Sequence, residues 1–197
     1  VAQGLADVGL TGIVAPTLQD LNGPGCRSLD AQLQATTNIL EDARLAKAGI
    51  GAAYGPHATD TVSDDLWRRI ARLAEEQGTF IHTHVAQSIE EYHRNIETHG
   101  ATPIERLDGL GVLDAGTGTL LVHSLFVTEN DLARLRPHRN VLGYCPYSQV
   151  QFCFPAEAEA WSNAGLPIVV GTDCGACNDT MNVQQELRLL SLGPSFT

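Results

Sequence analysis

The 197-residue sequence predicts an α/β fold of the (β/α)-barrel kind. Three observations carry this expectation. Short apolar runs alternate with longer amphipathic stretches, the apolar runs are rich in Ile, Val and Leu on both faces, and no glycine-rich phosphate-binding turn occurs. Strands apolar on both faces, each followed by a helix, imply a parallel sheet covered by helices. A doubly wound dinucleotide fold would normally carry G-x-G-x-x-G after its first strand, and neither that motif nor G-x-x-x-x-G-K is present. The barrel is therefore favoured over the open sheet.

The strands are expected at 12–18, 50–55, 79–86, 119–126, 140–145 and 167–172. A complete barrel has eight strands in roughly 250 residues, so the chain is read as an incomplete one, with earlier strands expected upstream of Val1. Helices are expected at 29–48, 62–77, 88–99, 129–136, 156–164 and 181–192. The second is the clearest: Ser63 can cap it, Asp64 and Asp65 occupy its first turn, Leu66, Ile70 and Leu73 form an apolar stripe, and Gly78 ends it. No linker, low-complexity segment or repeat interrupts the run, so residues 1–197 read as one partial barrel domain.

A formal net charge of -11, from 12 Lys+Arg against 23 Asp+Glu, argues against a nucleic-acid partner, because phosphate contacts need clustered Lys and Arg. No apolar run approaches the ~20 residues that cross a bilayer, and the first residues lack the pattern of a signal peptide. A soluble, cytoplasmic protein without a membrane partner is expected, and its exposed helices could support a homodimer. Five cysteines, an odd number, fit reduced thiols. Cys174 and Cys177 form a C-x-x-C that could be a redox pair or half of a zinc site. Cys26, Cys145 and Cys153 supply no second close pair, and small residues in a loop are the simpler reading.

Chemistry in a parallel barrel sits at the C-terminal ends of the strands. Here those ends are polar: the second strand runs into Pro56-His57, the third carries His82 and His84 and runs into Gln87, the fourth carries His123, and the sixth ends at Asp173. A lone strand histidine is more often a hydrogen-bonded core residue than a ligand. Several imidazoles and a carboxylate at one rim are different, since burying them without a metal or mutual pairing would cost several kcal/mol. His93, His99 and His138 fall at polar positions of helices or loops and are read as surface residues.

The strings His82-Thr83-His84-Val85-Ala86-Gln87, Leu121-Val122-His123-Ser124, Cys145-Pro146-Tyr147-Ser148 and Gly171-Thr172-Asp173 resemble the signatures of strands 5, 6, 7 and 8 of the amidohydrolase superfamily. They are most similar to the branch containing cytosine, guanine and methylthioadenosine deaminases and triazine hydrolases. Pro56-His57, followed by Thr61-Val62-Ser63-Asp64-Asp65-Leu66, is similar to that branch's strand 4 exit. The resemblance implies a (β/α)8 TIM barrel of the metal-dependent hydrolase type, incomplete here and covering about strands 3 to 8. It also implies hydrolysis of a C–N bond other than a peptide bond, as in deamination of a pterin, purine, pyrimidine or triazine.

By motif position, His84 would be a metal ligand, and Asp173 would both bind metal and take the proton from the attacking water. His123 would face the developing oxyanion, His57 would contact substrate, and His82, on the same strand face as His84, could also meet substrate. One divalent ion is implied, zinc first, with iron or nickel suiting the same donors. Two departures stand out: the family's strand 1 H-x-H is absent from the chain, and Gln87 occupies the place of a proton-shuttling glutamate. An amide cannot shuttle a proton but can donate and accept hydrogen bonds, so Gln87 is kept as a catalytic or substrate-binding residue. Glu90 and Glu91 are expected to point elsewhere. A catalytically idle barrel that binds a ligand or partner is the alternative that Gln87 suggests.

Overall fold

A computed structural model describes residues 1–21, 28–154 and 158–192. Cys26 lies outside the described residues. All six expected strand positions are present, in parallel. The first is split into β1 (Gly12–Val14) and β2 (Thr17–Leu18), with Pro16 between them, which has no N–H for a ladder. The second is split into β3 (Ile50–Ala52) and β4 (Gly55–Pro56). The others are β5 (Ile81–Val85), β6 (Thr119–His123), β7 (Asn140–Tyr144) and β8 (Ile168–Val170). β1 pairs with β3, β2 with β4, and β5, β6, β7 and β8 follow in sequence order. A bridge between Tyr54 and Ile81 joins the two-stranded ladders to the four-stranded sheet.

The helices are α1 (Ala2–Asp7), α2 (Leu29–Leu40), α3 (Ala43–Lys47), α4 (Asp64–Gln77), α5 (Ile89–His99), α6 (Pro103–Gly109), α7 (Glu129–Arg134), α8 (Pro146–Phe152), α9 (Ala158–Asn163) and α10 (Val183–Leu192). The helix expected at 29–48 is two, because the Asp42 carboxylate accepts from the Arg44 and Leu45 amides and starts a new helix there. α6 and α8 were not anticipated. Thr102, Pro103 and Glu105 form a capping box with proline in the first turn, and Pro146 opens α8 directly after β7.

The core lies between the sheet and its helices, where Trp67 and Ile70 of α4, Ile104 and Leu107 of α6, and Trp161 of α9 bury completely with Ile81, Val85, Leu121 and Leu142 of the sheet. Strand residues alternate in burial accordingly: Ile81, Thr83 and Val85 are buried under helices, whereas His82 and His84 face the concave side. That concave side is open. Ile13 of β1 is 56% exposed and Val169 of β8 is 46% exposed, the exposures expected of a barrel interior only partly enclosed. Among the described residues no helix is long and apolar enough to cross a membrane.

Candidate active site

The strand ends carry unusual backbone. Ala86 after β5, His123 and Ser124 at the end of β6, and Asp173 after β8 all have positive φ, at 50°, 76°, 50° and 60°. For residues with a Cβ this conformation is costly and persists only where surrounding contacts enforce it. Here the contacts are visible. The Ser124 amide donates to the Val85 carbonyl at 2.9 Å and the Leu125 amide to Ala86 at 3.0 Å, so β6 is drawn across the end of β5 and its histidine turns toward the concave rim.

Three imidazoles meet at that rim. The His84 ring lies 5.3 Å from that of His57 and 5.4 Å from that of His123, the latter pair nearly parallel. His84 Nδ1 is 2.8 Å from the His57 carbonyl, which can only accept, so this nitrogen carries a proton and Nε2 is the nitrogen left to face the cavity. His57 Nδ1 is 3.0 Å from the Thr61 hydroxyl, whose own proton goes to the Ala58 carbonyl. Asp173 approaches from the other side, with Oδ2 3.9 Å from His123 Nε2. Its Oδ2 accepts from the Ser148 hydroxyl at 2.7 Å and its Oδ1 from the Cys174 amide at 2.7 Å. His82, His84, Asp173 and Cys174 border one cavity of about 410 Å³ on the concave face.

Electrostatics favour the neutral imidazole at His57, His82 and His123. Burial first, and then the charge of His84, hold His123 down to about 4, with Asp173 opposing. His57 and His82 are lowered by the same two causes in the same order. Burial, followed by the Asp173 carboxylate, pushes the buried Cys145 thiol up to about 12, so it is a packing thiol rather than a reactive one.

The structure thus gathers His57, His84, His123 and Asp173. His82 lines the same cavity two residues deeper on β5, and half-buried Gln87 stands just beyond the β5 end. His93, His99 and His138 are exposed.

Two supporting residues were missed by sequence reading. Glu91 does not point elsewhere: its buried carboxylate accepts from the Ala86 amide at 3.1 Å, the Gln87 amide at 2.8 Å and the Thr59 hydroxyl. It thereby ties the exits of β4 and β5 together. Burial raises it, against these three donors. The signal was available, since Ser88 caps α5 and Glu91 sits at the third position of that helix. Ser148 was quoted within a motif but given no role, and α8 carries it to Asp173.

His84 and Asp173 fit a divalent ion by chemistry: an imidazole with one nitrogen fixed by a carbonyl and the other free, beside a carboxylate held by two donors. Among the described residues, however, the one group of three candidate ligand atoms within 4.8 Å of each other is Asp173, Cys174 and Cys177.

Comparison with known proteins follows the same lines. Residues 12–193 match the model of the amidohydrolase family. The chain is 28% identical over 187 residues to a 5-methylthioadenosine/S-adenosylhomocysteine deaminase of Aquifex aeolicus, covering 94% of this chain and 43% of that protein. It is 34% identical over 141 residues to the protein of that name in Nitratidesulfovibrio vulgaris, covering 71% of this chain and 31% of its counterpart. A zinc-bound adenosine deaminase structure from Xanthomonas campestris superposes with a TM-score of 0.86 at 24% identity, over 97% of this chain and 43% of that one. The fold is therefore part of a metal-dependent hydrolase (β/α)8 barrel, and the chain spans less than half the length of these relatives.

Proposed function

The chain belongs to the amidohydrolase family, and from that premise we propose that the protein is a metal-dependent hydrolase that deaminates a nitrogen heterocycle. The observation that carries this reading is the meeting of His57, His84, His123 and Asp173 at the ends of parallel strands, with strained backbone at three of the four exits. An adenine nucleoside is the first substrate to try, because the relatives named above carry adenosine-type names.

His84 and Asp173 would hold the ion, zinc before iron or nickel, with further ligands from elsewhere in the protein. When bound, the ion supplies Lewis acidity that brings a water's pKa toward 7. Asp173, fixed by Ser148 and the Cys174 amide, accepts the proton from the attacking water. His123, neutral and 3.9 Å from Asp173, stabilises the charge that develops on the oxygen as it adds to the ring carbon. His57 and His82 contact substrate from the rim and from the cavity. Gln87 hydrogen-bonds the ring without exchanging a proton, so the proton reaching the departing ammonia returns through Asp173.

The test is ammonia release by the metal-loaded full-length protein over adenine nucleosides, guanine, pterins, pyrimidines and triazines. Release from at least one class is expected, abolished by chelation. A protein that retains no divalent metal and is inert toward the whole panel would overturn the reading in favour of an idle binding barrel.

A further inference from the structure

We propose that Cys174 and Cys177 form a redox-active pair that closes reversibly to a disulfide immediately beside Asp173. The loop after β8 holds them together. The Cys177 amide donates to the Cys174 carbonyl at 3.0 Å, a turn that brings the two α-carbons within about 7 Å, the span a disulfide bridges. The two sulfurs are 3.0 Å apart. Cys174 is exposed and Cys177 half-buried, so an oxidant reaches the first and the second is placed to resolve it.

The loop is held from its far side as well. Asn178 donates to the Thr172 carbonyl at 3.0 Å and to the buried Glu186 carboxylate of α10, which also accepts the Tyr147 amide at 2.9 Å. Alternative arrangements of the pair are thereby restricted, which favours the intramolecular product over mixed disulfides with other thiols.

The chemistry balances with a small-molecule disulfide such as oxidised glutathione. The Cys174 thiolate attacks it, releasing one glutathione thiolate. Cys177 then displaces the second, so that two S–H bonds are lost, one S–S bond forms, and the oxidant takes both electrons as two thiols. Closure draws the sulfurs together by about 1 Å. The Cys174 amide that this movement displaces is the one holding Asp173 Oδ1 at 2.7 Å. Oxidation therefore disturbs the carboxylate on which the proposed function rests. The pair shares a backbone amide with the carboxylate to which the proposed function assigns the proton transfer.

The intact protein is equilibrated with glutathione mixtures of rising disulfide content, alkylated, digested and analysed by mass. A peptide joining Cys174 to Cys177, lighter by two hydrogens and restored by dithiothreitol, is expected. Both thiols still alkylated in excess oxidised glutathione, a stable glutathione adduct on Cys174, or thiols shielded until a chelator is added would each overturn the proposal. Where turnover is measurable, the oxidised-to-reduced activity ratio should fall about tenfold or more in the wild type and stay near unity in the double variant Cys174→Ser/Cys177→Ser, which has no thiol at this loop to oxidise. An unchanged wild-type ratio despite a formed disulfide would overturn the coupling to Asp173. A protein inert toward every amine would sink the proposed function, while the mass measurement still decides the thiol chemistry.

Discussion

Asp173 is asked to do the most of any residue at the rim. Replacing it with Asn keeps its shape but removes the proton acceptor, so kcat should fall by about 10²–10⁴-fold, with the protein still folded by circular dichroism. His123→Asn should cost about 10²-fold or more in kcat, chiefly through lost stabilisation of the developing charge. The histidines also set a pH dependence of stability. His123 is lowered from 6.5 to about 4, so the unfolded chain takes up a proton before the folded one does. Its contribution is therefore fully present above 6.5 and is lost as pH falls from there through about 4, with His57 and His82 adding in the same direction. Urea melts of chelator-treated protein between about pH 7.5 and pH 5 should show a shallower decline in His123→Asn than in the wild type. Equal slopes would show that His123 is not the group responsible.

Between residues and fold stand the segments that hold the strand exits. Glu91 of α5 secures the β5 exit, and the buried Arg106 of α6 secures the β4 exit by donating to the Thr59 and Val62 carbonyls, to Asn95 and to Asp64 at 2.7 Å. Glu91→Gln places an amide NH₂ against backbone N–H donors, so it should cost about 2 kcal/mol and lower kcat as Gln87 loses its support. Ser88→Ala, which removes the α5 cap, should cost about 1 kcal/mol and leave kcat as it was. Arg106→Leu should cost about 3 kcal/mol or more, because Asn95, Asp64 and two carbonyls lose their donor. Gly118 begins the β6 pairing at φ 128°, and a Cβ there would sit 2.1 Å from the Arg139 carbonyl oxygen. Thermal melts of Gly118→Ala should therefore show a loss of at least 1–3 kcal/mol, roughly what such backbone strain costs, where Gly78→Ala at an open helix end shows less.

At the scale of the whole molecule, the open concave face matters most. Apolar Ile13 and Val169 are exposed where a closed barrel would cover them, and His84 and Asp173 alone are a thin ligand set. The protein should retain about one equivalent of divalent metal through dialysis, His84→Ala should lose most of it, and a conservative surface variant should keep it. Metal analysis by mass spectrometry reads all three.

Much of this architecture could be read from residue order alone. Alternating apolar runs and amphipathic stretches depend on local periodicity, which is why six strand positions, the Ser63-capped helix α4 and the exits at His57, His84, His123 and Asp173 could all be named beforehand. Short helices such as α6 and α8 were hidden, because the residues that open them, the Thr102 cap and the first-turn Pro146, serve equally in turns. Glu91 was misjudged for a different reason. Its place on a helix suggested solvent, and only the packing of α5 against the β4 and β5 exits turns its carboxylate onto two backbone amides. Residue pattern determined which groups stand at the strand ends. Their convergence needed the tertiary structure, because the positive-φ turn at His123 is held by Ser124 and Leu125 amides donating to Val85 and Ala86, 39 residues away, and Asp173 is held by the Ser148 hydroxyl from 25 residues away, contacts that no local preference would select.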